Sequence, residues 1–339
     1  MGAGDPGRVL DVLRRGGTVV LTTHVHPDGD GIGAEVALAG LVRRLGGTPR
    51  IVNRDPVPRI LRFLEGSARI ERFDPAEHRE LLRGADAIVM LDNSDPERLE
   101  QLLPEVRASR ATRVCIDHHP DPDPFWEVLY VDEAASCTGQ LVLDLWDAAG
   151  LVPDEEAATA LYTALVSDTG RFRFANTTPR AFEVARRLLD LGVKPAEVYS
   201  RLEETLGEGL LRLFGEVLAG MEVRAEGRLV VLRVTIEQME RTGTRHEDFA
   251  EVINLALRLE GSRLACLFRE LAGGRTKVSL RSKGELDVNR LARRHGGGGH
   301  RNASGIVLER PFDETIARLV PELESLARST PADSAGGEE

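Results

Sequence analysis

One stretch of the sequence decides the fold: TTHVHPDGDGIG, residues 22–33. The residues that lead into it, 18–23, are apolar and β-branched, which predicts a buried strand. Residues 34–42, which follow it, have apolar positions at helical spacing. The stretch is therefore predicted to be a loop between a strand and a helix. In a parallel α/β sheet such loops lie at the carboxyl ends of the strands, where ligands bind.

The polar side chains of this loop suit a metal site. His24, Asp28 and Asp30 offer imidazole and carboxylate ligands, and the glycines between them let the backbone fold these side chains towards one point. An ordinary turn is the alternative, because Pro, Asp and Gly at residues 27–29 are also typical of turns. The motif by itself does not decide between the two.

Three further segments end in candidate ligands and favour the metal site. The apolar run at residues 85–91 leads into Asp92, and the run at 111–116 leads into Asp-His-His at 117–119. Asp168 follows an apolar stretch with helical spacing. Turns alone rarely place acids and imidazoles at the same end of several successive hydrophobic segments.

The order of these motifs resembles the DHH phosphoesterase superfamily, which is named for the triplet that stands here at residues 117–119. All four N-terminal motifs of that family are present in order, and the segment GGGGHRNASG at 296–305 resembles the signature of the DHHA1 domain that follows it. The likeness covers about residues 15–310. It implies a metal-dependent phosphoesterase with a catalytic domain and a separate substrate-binding domain.

The resemblance implies a site with two divalent cations. Carboxylate and imidazole ligands without thiolates suit Mn²⁺, with Mg²⁺ or Co²⁺ as alternatives. Such a pair of cations can activate water and polarise a phosphoryl oxygen. By resemblance, one cation is held by His24, Asp28 and Asp92, and the other by Asp30, Asp92, His118 and Asp168.

The triplet is also expected to contribute to catalysis. By resemblance, the catalytic residues are Asp117, His118 and His119, and His119 also contacts substrate. Asp117 is better suited to orient an imidazole than to bind metal. A simple role in capping the end of the strand is an equal alternative for Asp117.

The second domain is expected to hold the substrate. A run of glycines can form an anion-binding nest of N–H groups, although it can also be a flexible loop. The resemblance favours the phosphate site, and Arg281 could grip a phosphate with two hydrogen bonds. The predicted substrate-binding residues are His119, Arg281, Ser282, Gly297, Gly298, Gly299 and His300. The active site is expected in the cleft between the two domains.

The predicted fold class is α/β. In the first half strand-like and helix-like segments alternate, which predicts a parallel sheet with helices on both faces. A helical linker then leads to a smaller α/β domain. The predicted boundaries are 1–194 for the catalytic domain, 195–220 for the linker, 221–328 for the DHHA1 domain and 329–339 for a disordered tail.

The composition excludes several classes of protein. The chain has 339 residues, 42% of them hydrophobic, and a formal charge of −11. This charge argues against a protein that tracks along long nucleic acid, because that affinity comes from Lys and Arg. The three cysteines have no spacing typical of metal sites, and no apolar run is long enough to span a membrane. A cytoplasmic protein is predicted, and the resemblance suggests a homodimer.

The resemblance alone narrows the range of candidate substrates. The two-domain length looks like that of the bacterial nanoRNase type, which degrades very short RNAs such as pApA and removes the 3′-phosphate of adenosine 3′,5′-bisphosphate (pAp). A cyclic-dinucleotide phosphodiesterase and a RecJ-like single-strand exonuclease are alternatives within the family. A non-catalytic nucleotide sensor is the alternative outside enzymes, and it would be expected to have lost ligands that are all present here.

Overall fold

The computed structural model describes residues 4–66, 68–244 and 249–329, without the side chains of Ala250 and His300. The chain divides into two compact units after Thr205. The domain boundaries stated above remain predictions, and the predicted tail, apart from Ser329, lies outside the described residues. None of the described helices combines the length and the apolar character that a membrane span requires.

The first unit alternates strands and helices along most of its length. Its strands are β1 (Thr18–Thr23), β2 (Thr48–Asn53), β3 (Ile70–Arg72), β4 (Ala87–Leu91), β5 (Thr112–Asp117) and β6 (Val128–Val131). Its α-helices are α1 (Pro6–Leu13), α2 (Gly29–Arg44), α3 (Pro75–Gly84), α4 (Leu103–Ala108), α5 (Thr138–Ala148), α6 (Glu155–Asp168), α7 (Pro179–Asp190) and α8 (Pro195–Glu203). Two 3₁₀ helices span Arg59–Leu64 and Pro96–Leu102.

The six strands of the first unit form one sheet in the order β3-β2-β1-β4-β5-β6. Every pairing in it is parallel. Successive side chains of β1 point to opposite faces, so that Val19 and Leu21 join one hydrophobic core and Val20 joins another. Helices α2, α5 and α6 cover the first face, and α3 and α4 cover the second. The prediction of a parallel sheet with helices on both faces is confirmed.

Close packing of α2 on α6 brings two candidate ligands together. Nearly every residue of α2 up to Val42 is buried. At Gly33 a Cβ atom would lie only 2.4 Å from the carbonyl oxygen of Ala160 in α6, so this approach requires glycine. As a result, Asp30 in the first turn of α2 lies near Asp168 at the end of α6.

The second unit is a smaller α/β structure with a mixed sheet. The sheet has the order β11-β12-β10-β9-β8-β7, in which only β8 and β9 pair in parallel. Its faces carry separate cores, one under α12 and α13 and the other under α9 and α11. The strands are β7 (Glu222–Arg224), β8 (Leu229–Val234), β9 (Leu264–Leu271), β10 (Arg275–Ser282), β11 (Gly298–His300) and β12 (Ala303–Leu308). The helices are α9 (Glu208–Ala219), α10 (Ile236–Thr242), α11 (Ala250–Ala256), α12 (Val288–Arg294) and α13 (Phe312–Arg328).

Candidate metal centre

The ends of three parallel strands deliver candidate ligands to one edge of the first sheet. Leu91 of β4 is paired with Thr23 of β1 on one side and with Ile116 of β5 on the other. His24 and Asp92 are the residues that follow β1 and β4, and the Asp-His-His triplet continues from β5. Because the strands are parallel and in register, these side chains meet at the carboxyl edge, as the sequence predicts.

The loop after β1 adds two carboxylates from the start of α2. Asp28 caps this helix, and its Oδ1 accepts hydrogen bonds from the backbone N–H groups of Asp30 (3.0 Å) and Gly31 (3.1 Å). The Asp30 carboxylate is fixed by the start of α5. It accepts hydrogen bonds from the N–H groups of Thr138 (2.7 Å) and Gly139 (2.9 Å). Donors at a helix N-terminus stabilise such a buried negative charge.

The structure brings every predicted metal ligand into a cluster. Three overlapping groups have ligand atoms within 4.8 Å of one another, and each predicted ligand belongs to at least one of them. The groups are His24, Asp28 and Asp92, then Asp30, His118 and Asp168, and finally Asp92, His118 and His119. Asp92 belongs to the group with His24 and Asp28 and to the group with His118 and His119, and His118 in turn joins it to Asp30 and Asp168.

The two oxygens of Asp92 face different histidines. Its Oδ2 lies 3.5 Å from Nε2 of His24, and its Oδ1 lies 3.6 Å from Nε2 of His118. The same His118 nitrogen is 3.8 Å from an Asp30 oxygen and 3.7 Å from an Asp168 oxygen. This nitrogen is buried and has no hydrogen-bond partner among the described residues. A buried nitrogen that faces three carboxylates beyond hydrogen-bond distance fits a divalent cation.

The electrostatics of the cluster also favour a bound cation. Burial raises the pKa of Asp30 and Asp92 well above the usual range, and neighbouring carboxylates raise it further. Burial also raises the pKa of Asp168, although His118 opposes this change. The pKa of His24 is lowered by burial, which favours the neutral imidazole that binds metals. A divalent cation would relieve the repulsion between these carboxylates.

Asp117 orients the two histidines that follow it in the triplet. It is fully buried, and its Oδ1 accepts hydrogen bonds from Nδ1 of His119 (2.7 Å) and from the backbone N–H of His118 (2.8 Å). It therefore caps the strand end and orients an imidazole at the same time. Burial alone would raise the pKa of Asp117, but its hydrogen bonds with His119 hold this pKa below the usual range. The same hydrogen bond raises the pKa of His119, whose side chain is 51% exposed and can meet a substrate.

Three side chains that contact the predicted ligands were not predicted from the sequence. The Thr138 hydroxyl donates to Oδ1 of Asp92 (3.1 Å), and the Asn176 amide donates to Oδ2 of Asp168 (2.7 Å). Nη2 of Arg98 lies 3.0 Å from Nδ1 of His24. Thr138 opens a helix and Arg98 lies in a 3₁₀ helix, so each carries a local signal only for secondary structure.

A buried network of polar side chains holds the ends of β1 and β4 in position. Glu35 of α2 accepts a hydrogen bond from the side-chain amide of Asn53 (2.8 Å), and Oδ1 of the same side chain accepts one from the backbone N–H of Thr23 (3.0 Å). The Thr23 hydroxyl then donates to the carbonyl oxygen of Leu91 (2.9 Å). Burial raises the pKa of Glu35 to about 8. The network fixes the backbone immediately before His24.

In the second unit, Arg281 and Ser282 lie at the end of β10. Nη1 of Arg281 donates to the carbonyl oxygen of Leu280 (3.0 Å). The Ser282 hydroxyl is buried, donates to the carbonyl oxygen of Leu286 (2.6 Å) and accepts from the Asn302 amide (2.9 Å). These contacts hold Ser282 within its own unit, and its predicted contact with substrate stays a prediction.

The glycine run forms the link between α12 and β11. The N–H of Gly297 donates to the carbonyl oxygen of Ala292 (2.8 Å), so this donor closes the end of the helix. Gly299 has a φ of 135°, a conformation that requires glycine. Gly298 and Gly299 pair with β12 at the edge of the sheet. The predicted role of the His300 side chain lies outside the described part of the structure.

Fold and site together define a class of protein. The sequence model of the DHH family, N-terminal domain, matches residues 18–165, and that of the DHHA1 domain matches residues 226–329. The chain therefore belongs to the DHH family of phosphoesterases, and the resemblance stated from the motifs is confirmed.

Particular relatives narrow the comparison. A protein of Thermus thermophilus named bifunctional oligoribonuclease and PAP phosphatase NrnA is 37% identical to this chain, over 89% of this chain and 87% of its own. A protein of Bacillus subtilis with the same name is 29% identical, over 92% and 95%. The crystal structure of an exopolyphosphatase-related protein from Bacteroides fragilis has a TM-score of 0.88 and 27% identity, covering 96% and 97%.

Proposed function

We propose that this chain is a metal-dependent hydrolase of phosphoester bonds that acts on very short oligoribonucleotides and on the 3′-phosphate of pAp. The relatives from Thermus thermophilus and Bacillus subtilis carry this pair of activities in their names, and the similarity covers most of each chain. The observation that carries the proposal is the shared carboxylate: one oxygen of Asp92 faces His24 and the other faces His118. A bridging carboxylate between two ligand groups is what a two-metal phosphoesterase requires.

The proposed cofactor is a pair of divalent cations, with Mn²⁺ as the first choice and Mg²⁺ or Co²⁺ as alternatives. The donor set contains only carboxylates and imidazoles, which suit these ions. When bound, such cations activate water and polarise a phosphoryl oxygen. The proposed ligands are His24, Asp28 and Asp92 for one ion, and Asp30, Asp92, His118 and Asp168 for the other.

The remaining side chains hold this site in position. Thr138 and Gly139 fix the Asp30 carboxylate, and Asn176 fixes Asp168. His119 is the proposed proton donor to the leaving oxygen, because it is half exposed and Asp117 raises its pKa.

The second unit is the proposed substrate-binding part of the protein. Arg281, His300 and the glycine run are assigned to the part of the nucleotide that does not react. Arginine suits this role because its planar guanidinium can bind a phosphate with two hydrogen bonds. We also propose that the protein is cytoplasmic and forms a homodimer, as predicted above.

A substrate panel tests the proposed function. Turnover is measured with Mn²⁺ on pAp, pApA, RNAs of increasing length, cyclic di-AMP and pyrophosphate. We expect hydrolysis of pAp and of the shortest RNAs, with rates that fall as the RNA lengthens. Faster, processive degradation of long strands would instead support an exonuclease of the RecJ kind, and preference for cyclic di-AMP would support a cyclic-dinucleotide phosphodiesterase.

The control for the panel is Asp92→Asn. This variant removes one charge from the proposed bridge with almost no change in size. Turnover that survives in Asp92→Asn would contradict the two-metal mechanism. Tight binding of nucleotides by the wild type without any turnover would support a nucleotide sensor.

A further inference from the structure

Arg98 lies beside the candidate metal centre and has no acidic partner among the residues that the structure describes. It belongs to the 3₁₀ helix Pro96–Leu102 and is half-buried. Within residues 4–66, 68–244 and 249–329, no carboxylate oxygen lies within 4.0 Å of its guanidinium. Neighbouring arginines differ, since Arg54 pairs with Glu100 and Arg107 pairs with Glu97. A half-buried arginine without a carboxylate partner is an available site for an anion.

Two contacts hold the Arg98 guanidinium in place. Its Nη1 donates to Oδ1 of Asn93 (3.2 Å), the residue after the ligand Asp92, and its Nη2 lies 3.0 Å from Nδ1 of His24. Its backbone carbonyl also accepts a hydrogen bond from the N–H of Val25 (3.3 Å). The guanidinium therefore lies against the ring of a proposed metal ligand.

The contact between Arg98 and His24 conflicts with metal binding. Nδ1 of His24 also lies 2.7 Å from the carbonyl oxygen of Val25, and that contact is a hydrogen bond only if Nδ1 carries the proton. Nε2 of His24 faces Asp92, and a neutral imidazole that binds a cation through Nε2 keeps its proton on Nδ1. In that tautomer Nδ1 cannot accept a hydrogen bond, so Nη2 of Arg98 is left to donate to another acceptor.

We infer that Arg98 is a catalytic residue whose Nη2 donates a hydrogen bond to a non-bridging oxygen of the reacting phosphoryl group. The inference rests on the proposed function and adds a residue to it. A phosphate oxygen is the acceptor that an unpaired guanidinium favours, and negative charge spreads over these oxygens in the transition state. Because Arg98 touches a metal ligand, it serves the reacting phosphate, whereas Arg281 is assigned to the remote part of the substrate.

The test compares Arg98→Met and Arg98→Lys with the control Arg107→Met. Arg107→Met also removes one positive charge, from the neighbouring helix α4. The Arg107 side chain, however, is 56% exposed and pairs with Glu97. Turnover is measured on pAp and on bis-p-nitrophenyl phosphate, a small ester without a nucleoside. We expect Arg98→Met to lower kcat/KM about ten- to a hundredfold on both substrates, the loss of a charge-assisted hydrogen bond. Arg98→Lys should recover part of it, and Arg107→Met should behave as wild type.

Two binding measurements separate a substrate contact from a structural role. Calorimetry with inorganic phosphate on the Mn²⁺-loaded protein should show weaker binding in Arg98→Met and unchanged binding in Arg107→Met. Titration with Mn²⁺ should show unchanged metal affinity in both variants. Weaker Mn²⁺ binding in Arg98→Met with turnover restored by excess Mn²⁺ would overturn the inference, because Arg98 would then only orient His24.

The phosphate measurement also keeps this inference distinct from the proposed function. If the wild type hydrolyses bis-p-nitrophenyl phosphate but no nucleotide, the nucleotide assignment fails and Arg98 is still tested on the small ester. If it hydrolyses neither, the difference in phosphate binding between Arg98→Met and Arg107→Met decides the inference. Equal phosphate affinity in both variants, or no phosphate binding by the wild type, would refute it.

Discussion

Replacing Glu35 by Gln should remove a loss of stability that the first unit otherwise shows as the pH rises. Glu35 is completely buried in α2, and its carboxylate accepts a hydrogen bond from the Asn53 amide. Gln has the same shape and can still accept that hydrogen bond, but it never carries a charge. The variant therefore isolates the cost of ionising this side chain inside the core.

The size of the effect follows from the pKa of Glu35 in the two states. This pKa is 4.5 in the unfolded chain and about 8 in the folded protein, because burial disfavours the carboxylate. The folded state thus binds the proton more tightly, so the free energy of unfolding falls as the pH rises from about 4.5 to about 8. At 1.36 kcal/mol per pKa unit the full change is about 5 kcal/mol. Below this window Glu35 is protonated in both states and contributes no pH dependence.

Tryptophan fluorescence can measure this effect in the first unit alone. The two tryptophans of the sequence, Trp126 and Trp146, are both buried there. Denaturant unfolding of the chelated protein is followed from about pH 5 to about pH 8.5 for wild type, Glu35→Gln and the control Glu183→Gln, an exposed position on α7.

The expected result is a difference between the two pH profiles. Stability of Glu35→Gln relative to wild type should grow with pH and level off above about pH 8. The new amide group takes the place of Oε1 of Glu35, which has no hydrogen-bond partner among the described residues, and should cost about 1–3 kcal/mol at every pH. The slope is therefore the quantity to compare. Other groups, such as the clustered aspartates, titrate equally in both proteins, so their contributions cancel in the difference between the two profiles. Parallel profiles for wild type and Glu35→Gln would refute the reasoning.

Other expected outcomes concern the metal centre and the substrate. Chelation should abolish turnover and lower the unfolding temperature followed by tryptophan fluorescence, and Mn²⁺ should restore both; full activity after chelation would contradict the mechanism. Asp92→Asn should abolish turnover yet raise the stability of the chelated protein, as denaturant unfolding at neutral pH can show, because it removes one of several buried like charges. His118→Ala should collapse kcat on every substrate in steady-state assays. Arg281→Ala should lose about ten- to a hundredfold on pAp but little on bis-p-nitrophenyl phosphate, and equal losses would assign Arg281 a different role.

Much of the first unit could be predicted because its signals are local. In β1, β4 and β5 an apolar run leads directly to polar residues, and parallel pairing then forces His24, Asp92 and the triplet to one edge. The direction of the strands in the second unit could not be predicted in this way. The alternating pattern of β10, for example, is the same whether its neighbours run parallel or antiparallel to it.

The residues that the sequence did not reveal act across long distances in the chain. The N–H of Thr138 meets Asp30, which lies 108 positions earlier, and Arg98 meets His24, which lies 74 positions earlier. Nothing in the neighbourhood of Thr138 or Arg98 marks these contacts, because they depend on how helices and strands pack. Glu35 was missed for a related reason: a glutamate in a helix is ordinarily exposed, and only the depth of α2 in the core makes this one buried.

The backbone at Asp92 limits how this protein can diverge. Its φ of 63° lies in the left-handed region, which Gly, Asn and Asp tolerate better than other residues. Glu could bind a cation here, but it would strain the backbone at the end of β4. A gene lineage that abandons the chemistry is therefore expected to pass first through Asn or Gly at this position. Such a replacement in a descendant sequence would mark a protein that kept the fold after losing the enzyme.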